Sequence, residues 1–177
     1  MEKQERALVK KAMRGNPKAF GALVEREQKY LYRMAFLYVR HEADALDVVQ
    51  DTIIKAYKSL KTLREPEYFR TWLTKILINT AQDMLRRRKP TVPLEEEVGC
   101  AAKEEMAPEE RLDLYQALEG LPEKYRDVVK LKYLDGYTIR EISAVTGMPE
   151  GTVSVYLRRA IRQLQAILKE EPVCEKI

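Results

Sequence analysis

The feature that most restricts the fold of this 177-residue chain is the spacing of its apolar side chains, which recur three and four positions apart in several long segments. This spacing puts them on one side of an α-helix, and no segment shows the sustained apolar–polar alternation of a half-buried strand. Helices are predicted at about 3–13, from Pro17 to about Arg40, and over 41–60 and 67–89. About four more are predicted between Pro108 and residue 170. The chain is therefore expected to be all-α.

Charge divides the chain into three parts. Residues 1–89 contain 20 Lys and Arg against 11 Asp and Glu, residues 90–120 contain 2 against 9, and residues 121–177 contain 10 against 8. The acidic part begins with PTVPLEEEVGCAAKEEMAPEE, which has prolines, a glycine and no helical period. A surface loop is one interpretation, but about 20 residues exceed most loops of compact domains. We predict a helical domain at 1–89, a flexible acidic linker at 90–110 and a second helical domain at 111–172.

Composition argues against several classes of protein. No apolar run reaches the roughly 18 residues of a membrane span, and the amphipathic N-terminus differs from a signal peptide. Cys100 and Cys174 are far apart, and with His41 as the single histidine they do not form a zinc-ligand set. We find neither a glycine-rich phosphate loop nor a nucleophile–base pair. The prediction is a cytosolic, non-enzymatic protein with no membrane insertion, no metal and no cofactor.

The third predicted helix has an apolar and an acidic side. Its expected buried stripe consists of Leu46, Val49, Ile53, Tyr57 and Leu60. The other side carries Asp44, Asp47, Gln50 and Asp51. Such a side is commonly a solvated surface, but here it lies in a basic domain. A docking strip for a basic partner is therefore the second interpretation.

The fourth predicted helix combines an apolar side with a polar side and a basic end. The side chains expected to face inward are Phe69, Trp72, Leu73, Ile76 and Met84. The polar side carries Lys75, Asn79, Asp83, Arg86 and Arg87. The helix dipole favours basic residues at a C-terminus, but RRRK is more charge than capping requires. Contact with phosphates and bases is the alternative, and the preceding KTLREPEYF has aromatic rings that can hold an unstacked base.

The segment TIREISAVTGMPEGTVSVYLRRA, residues 138–160, has the spacing of a helix-turn-helix. Thr138 and Glu141 predict a capping box that starts its first helix. Gly147 suits a left-handed turn, and Pro149 suits the first turn of the next helix. An ordinary helical hairpin is the alternative. In a helix-turn-helix, phosphate contacts are expected from Arg158, Arg159 and Arg162.

Three segments together resemble the extracytoplasmic-function group of bacterial sigma factors, in the order of that family and over about residues 10–168. They are DALDVVQDTIIKAY, FRTWLTKILINTAQDMLRRRK and LPEKYRDVVKLKYLDGYTIREISAVTGMPEGTVSVYLRRAIRQL. The resemblance implies two helical domains that bind core RNA polymerase and recognise the two elements of promoter DNA. It also implies a linker that threads the channels of the polymerase and, as a further family expectation, an anti-sigma factor that covers the polymerase-binding surfaces.

The resemblance implies three sets of site residues. Those expected to bind the polymerase clamp helices are Asp44, Asp47, Gln50, Asp51 and Lys55. The −10 element is expected to be captured by the loop at 63–68 and read by the fourth helix, through Leu63, Arg64, Glu65, Tyr68, Lys75, Asn79, Asp83, Arg86 and Arg87. The −35 element is expected to contact Thr152, Ser154, Val155, Arg158 and Arg159, with Arg162 on phosphates.

The sequence departs from the family pattern at Ser154 and Tyr156, where members often have basic residues. Direct hydrogen bonding to base edges is correspondingly reduced, which predicts a weak reader. A tethered second contact can multiply affinity 10²–10⁴-fold, and a linker of about 20 residues reaches roughly 66 Å. Two other classes stay open: a stand-alone helix-turn-helix regulator that binds duplex DNA by itself, and a helical adaptor without a nucleic-acid role.

Overall fold

The computed structural model describes residues 3–87 and 117–170, which belong to two compact units, Met1–Ala102 and Lys103–Ile177. Within these residues the regular structure is helical and no strand occurs, which confirms the all-α prediction. The predicted linker at 90–110 and both cysteines lie outside the described residues. No helix of the described part is long and apolar enough to cross a membrane.

The N-terminal unit contains four α-helices: α1 (Lys3–Met13), α2 (Pro17–Val39), α3 (Glu42–Ser59) and α4 (Phe69–Arg87). Short 3-10 turns at Leu60–Thr62 and Pro66–Tyr68 connect α3 to α4. These boundaries agree with the sequence-based ones to within two residues, except that residues 67 and 68 belong to a 3-10 turn.

Local side-chain chemistry explains where α2 and α3 begin and end. The Asn16 side chain accepts a hydrogen bond from the Ala19 amide at 3.0 Å, and Pro17 occupies the first helical position. Arg40 adopts a left-handed conformation with φ of 53° and ends α2. His41 then caps α3, because its Nδ1 accepts a hydrogen bond from the Asp44 amide at 3.4 Å. The chain therefore reverses between the two helices within two residues.

Helix α2 is the centre of this unit, since it packs against α1, α3 and α4. The largest fully buried side chains of the unit are Phe69, Leu23, Leu31, Met34, Leu73, Leu77, Val9 and Val48. Burial of each such side chain contributes about 1.5–3 kcal/mol. This core fixes the positions of α3 and α4, whose outer faces carry most of the predicted site residues.

Helix α3 buries only part of the stripe that its sequence predicts: Val49 and the adjoining Leu60 are buried, and Ile53 is half-buried. Its buried residues are mostly small: Ala45, Val48, Val49, Thr52 and Ala56, together with Asp44. Leu46 and Tyr57 were expected to be buried, but they are 47% and 53% exposed. Small side chains allow closer approach of packed helices, so α3 packs mainly through small residues, and the larger Leu46 and Tyr57 lie outside this contact.

The C-terminal unit is helical at residues 117–119 and then contains α5 (Glu123–Val129), a π-helical turn (Lys130–Leu134), α6 (Ile139–Thr146) and α7 (Glu150–Glu170). The predicted capping box at the start of α6 is confirmed: the Thr138 hydroxyl accepts from the Glu141 amide at 3.3 Å, and the Thr138 amide donates to Glu141 Oε2 at 2.9 Å. Gly147 adopts the left-handed conformation with φ of 77° and ends α6. Ile142 and Val153 are fully buried, so α6 and α7 form the predicted helix-turn-helix.

Two glycines of this unit should respond to alanine in opposite directions. Gly147 has open space around its Cα but a positive φ, so Gly147→Ala should cost about 1–2 kcal/mol of unfolding free energy. Gly151 also has open space, lies within α7 and has no positive φ, so Gly151→Ala should stabilise by up to about 1 kcal/mol.

Hydrogen exchange of α6 and α7 amides measures both effects. Fluorescence of Trp72, the single tryptophan, reports unfolding of the N-terminal unit and serves as an internal control that neither substitution should move. Destabilisation by both substitutions would contradict the assignment of the cost to backbone conformation.

Candidate functional site

The outward side of α3 presents apolar and acidic residues together. Leu46, Ile54 and Tyr57 are 47–53% exposed, and the exposed polar residues Asp47, Gln50 and Asp51 lie beside them. We call these six residues the α3 outer face. The Tyr57 ring packs on Phe20 of α2 with 5.2 Å between ring centroids, which holds it in place. Three large apolar side chains in one row favour a protein contact, because clustered apolar exposure commonly marks an interaction site.

Two residues of the predicted α3 set lie elsewhere. Asp44 is only 6% exposed and its carboxylate is 3.5 Å from His41 Nδ1, so it belongs to the packed start of the helix and not to a docking strip. The Lys55 ammonium donates a hydrogen bond to the Thr80 hydroxyl of α4 at 3.0 Å. Lys55 therefore links α3 to α4 in addition to any outward role.

Between these helices is an open cleft of about 210 Å³, lined by Asp51, Lys55, Thr80, Asp83, Met84 and Arg87. The cleft is where the α3 outer face meets the polar side of α4. Its lining is mixed in charge, because each helix contributes one acidic and one basic side chain.

The polar side of α4 faces outward, as predicted. Lys75, Asn79 and Arg86 are exposed, Asp83 is half-buried, and Arg86 lies 3.7 Å from the Asp83 carboxylate. The opposite side of α4 is buried among apolar and threonine side chains. Side chains able to donate to bases and to neutralise phosphates thus occupy one accessible surface.

The loop at 63–68 divides into anchored and exposed residues. Leu63 is 4% exposed and packs in the core, so it does not join a base-contacting surface. Pro66 is also buried, while Arg64, Glu65 and Tyr68 are exposed. An ion pair between Arg6 and Glu67 and a hydrogen bond from Trp72 Nε1 to the Thr62 hydroxyl (3.2 Å) fix the loop to α1 and α4. The backbone of the loop is therefore fixed, and the aromatic ring of Tyr68 is exposed.

A buried carboxylate supports the start of α4. Arg70 Nε is 3.1 Å from Glu27 Oε2 of α2, and the Arg70 guanidinium lies 4.1 Å from the centroid of the Tyr30 ring. The Tyr30 hydroxyl in turn shares a hydrogen bond of 2.7 Å with Thr74. Burial raises the pKa of Glu27, while Arg70 lowers it and Glu5 raises it further.

In the helix-turn-helix, the predicted reading side is mostly apolar or internally bonded. Val155 is 39% exposed, and the Ser154 hydroxyl donates back to the Glu150 carbonyl at 3.0 Å. Tyr156 is half-buried against Tyr125, with ring centroids 5.0 Å apart. Thr152 is half-buried, whereas the three arginines are exposed: Arg158, Arg159 and Arg162.

Arg159 donates a long hydrogen bond of 3.5 Å to the Tyr125 hydroxyl. That contact raises the pKa of Arg159 above its ordinary value. Base-specific hydrogen bonding is therefore scarce on this side, and positive charge is plentiful.

Sequence analysis did not predict that the apolar side chains of Leu46, Ile54 and Tyr57 are exposed. It also did not predict the ion pair between Glu27 of α2 and Arg70 at the start of α4. A signal for the first was present: the third helix has large apolar residues on more than one side, which exceeds the needs of a single buried stripe. No sequence signal pairs Glu27 with Arg70, since they are 43 positions apart in sequence and only the tertiary packing of α2 and α4 joins them.

An acidic and apolar helix face next to a basic, polar helix in one unit, with a helix-turn-helix in the other, is an arrangement suited to a helical protein that joins a protein partner to DNA. Comparison with known proteins agrees with this class. Residues 23–91 match the family model of Sigma-70 region 2, and residues 111–164 match that of Sigma-70, region 4.

Relatives and solved structures identify the group. The chain is 36% identical to RNA polymerase sigma factor SigV of Bacillus subtilis, over 79% of this chain and 85% of the relative. It is also 36% identical to the ECF RNA polymerase sigma-E factor of Escherichia coli K12, over 88% and 90%. The structure of CnrH in complex with the cytosolic domain of CnrY matches with a TM-score of 0.73 and 30% identity, over 95% of this chain and 99% of CnrH.

The sigma factor RpoE of Bartonella quintana, solved with the anti-sigma factor NepR, shares the fold with a TM-score of 0.66 and 22% identity, over 88% of this chain and 99% of RpoE. The chain therefore belongs to the extracytoplasmic-function sigma factors, alternative sigma factors that direct RNA polymerase to promoters.

The raised pKa of Glu27 gives a pH-dependent prediction. Because the folded-state pKa lies above the ordinary 4.5, the stabilisation that this carboxyl contributes is fully present below pH 4.5 and is lost as pH rises through the folded pKa. The unfolding free energy of Glu27→Gln, minus that of the wild type, should therefore increase with pH above 4.5.

Urea unfolding followed by Trp72 fluorescence from pH 4.5 upward measures this difference. Glu25→Gln removes an exposed carboxylate from the same helix and is the matched control, whose profile is subtracted. A difference that stays level, or falls with pH, would contradict a raised pKa.

Proposed function

We propose that the α3 outer face is the main surface by which this sigma factor binds core RNA polymerase. The observation that carries the proposal is the exposure of Leu46, Ile54 and Tyr57 beside Asp47 and Asp51 in a unit that is otherwise basic. Apolar contact supplies affinity at the centre of an interface, and complementary charge supplies orientation and association rate. A basic, partly apolar partner surface, such as the polymerase clamp helices, fits this chemistry.

The outer side of α4 and the loop at 63–68 are proposed to open and read the −10 element. Tyr68 offers an exposed ring for stacking with an unpaired base, and such stacking contributes about 1–3 kcal/mol per base. Asn79 offers a bidentate amide for a base edge, while Lys75, Arg86 and Arg87 supply positive charge for phosphates. Asp44 and Leu63 are left out of these sets because their side chains are buried.

The helix-turn-helix is proposed to bind the −35 element chiefly through charge and shape. Arg158, Arg159 and Arg162 are suited to phosphates, and the Val155 methyls are suited to a thymine methyl group. Packing of the half-buried Tyr156 on Tyr125 limits the reach of that ring toward a base and supports the weak-reader interpretation. Affinity for the promoter then depends on the polymerase holding both units at once.

Regulation is proposed to occur by occlusion. A cytosolic protein segment that covers the α3 outer face would compete directly with polymerase, and CnrH, a similar fold, is solved in complex with the cytosolic domain of CnrY. The protein itself is proposed to perform no catalysis, since RNA synthesis belongs to the polymerase. A role in a stress or envelope response is consistent with this arrangement.

The test of polymerase binding is co-elution of the purified protein with core RNA polymerase in gel filtration without DNA. The wild type should co-elute. Ile54→Glu should weaken binding more than tenfold, because burial of an isoleucine contributes about 1.5–3 kcal/mol and a charge in its place adds a desolvation cost. Asp51→Lys should weaken it on the order of tenfold by reversing a complementary charge.

Gln4→Lys on α1 adds a positive charge to an exposed position outside the α3 outer face and should co-elute normally. Circular dichroism should show unchanged helix content in all variants. Failure of the wild type to co-elute, together with tight binding to duplex DNA, would replace the proposal with a stand-alone helix-turn-helix regulator.

Asn79→Ala should leave polymerase binding intact and impair promoter opening. Loss of one bidentate base contact costs about 1–3 kcal/mol, so open-complex formation should fall roughly five- to a hundredfold on a promoter recovered with the wild-type holoenzyme. Permanganate reactivity of unpaired thymines measures the opening. Leu85→Ala, an exposed change on another side of α4, should open the promoter normally, and equal opening by Asn79→Ala would remove Asn79 from the site.

A further inference from the structure

Helix α2 carries a row of basic residues that the sites above leave unused. Arg26, Lys29 and Arg33 are exposed and stand at i, i+3 and i+7, which puts them on one side of the helix. At about 1.5 Å per residue, the row extends roughly 10 Å along α2. All three lie in the interior of the helix, so interaction with the dipole of its C-terminus does not explain them.

Arg70 of α4 extends this row across to the neighbouring helix. The Arg70 guanidinium lies 4.1 Å from the centroid of the Tyr30 ring, and the Arg33 guanidinium lies 5.9 Å from the same centroid. The hydrogen bond of Tyr30 to Thr74 holds that ring between the helices. Arg70 follows the exposed Tyr68 by two residues, so the basic surface ends beside the proposed base-capturing loop.

The charge of this surface is only partly neutralised. Glu27 pairs with Arg70, and Glu25 is an exposed neighbour of the row on α2. Among the residues that the structure describes, none contacts Arg26 or Lys29 through an ion pair or a side-chain hydrogen bond. Two uncompensated cations next to two guanidiniums make a site for a polyanion, and the position beside the loop favours nucleic acid over an acidic peptide.

We infer that Arg26, Lys29, Arg33 and Arg70, which we call the α2 basic track, bind the phosphate backbone of single-stranded DNA as it leaves the base-capturing loop. The inference rests on the proposed −10 function of that loop. A row of roughly 10 Å is long enough to contact more than one phosphate of a single strand. The contact is independent of sequence: it positions the strand while Tyr68 and Asn79 contact its bases.

The test measures binding of the full-length protein to a fluorescent 12-nucleotide oligothymidine by anisotropy over a range of salt concentrations. Arg26→Glu combined with Lys29→Glu should weaken binding on the order of tenfold and reduce the salt slope by about 1.4, since each single-strand phosphate contact contributes about 0.7. The charge-preserving pair Arg26→Lys with Lys29→Arg should bind like the wild type.

Lys10→Glu combined with Lys11→Glu makes the same change in net charge at exposed positions of α1 and is the matched control, which should retain the wild-type slope. Equal losses of oligothymidine affinity in both glutamate pairs would show that only net charge matters, and would overturn the inference. Absence of oligothymidine binding by the wild type, or unchanged binding by the α2 pair, would also overturn it.

Co-elution with core polymerase separates the remaining outcomes. Loss of co-elution by the α2 pair, with oligothymidine binding retained, would assign the track to a protein partner and also overturn the inference. Failure of the wild type itself to co-elute would refute the broader proposal of polymerase binding. The oligothymidine result would still decide whether the α2 basic track binds single-stranded DNA.

Discussion

The N-terminal unit depends on the burial of one helix by three others. Leu23, Leu31 and Met34 of α2 are almost completely removed from solvent by α1, α3 and α4. Each covering helix therefore buries one side and leaves the other exposed. The surfaces for which we propose functions are these exposed sides: the acidic and apolar side of α3 and the polar side of α4. Lys55 links the two helices by its hydrogen bond to Thr80.

Helix positions could be predicted from sequence because their determinants are local. Asn16 with Pro17, and Thr138 with Glu141, set helix starts through contacts within three residues, and Gly147 ends α6 by its own backbone conformation. The orientation of α3 could not be predicted in the same way. Its sequence is apolar on two sides, and the choice between them depends on how closely α2 and α4 approach, which favours Ala45, Val48, Thr52 and Ala56 over the larger Leu46 and Tyr57.

The same distinction separates the site residues that sequence analysis identified from those it missed. Lys75, Asn79, Asp83 and Arg86 share one outward side of α4 because helical spacing alone dictates it. Asp44 and Leu63 fit the family pattern by position, but local packing buries them. The position of the Arg70 side chain depends on contacts with Glu27 and Tyr30 of α2, which is distant in sequence. No pattern within α4 therefore predicts it.

The distribution of charge over these surfaces gives each a different preferred partner. A protein of formal net charge +4 that placed its cations evenly would bind polyanions weakly on every side. Here the exposed carboxylates of Asp47 and Asp51 sit among apolar side chains on α3, where they repel phosphate and attract a basic protein surface. The cations are gathered on α4, on α2 and along α7, where exposed large apolar side chains are fewer than on α3: Leu85 on α4 and Val155 on α7. Because each kind of surface disfavours the other's ligand, this distribution supports the proposal that the N-terminal unit contacts polymerase and single-stranded DNA through different sides, with neither contact strong by itself.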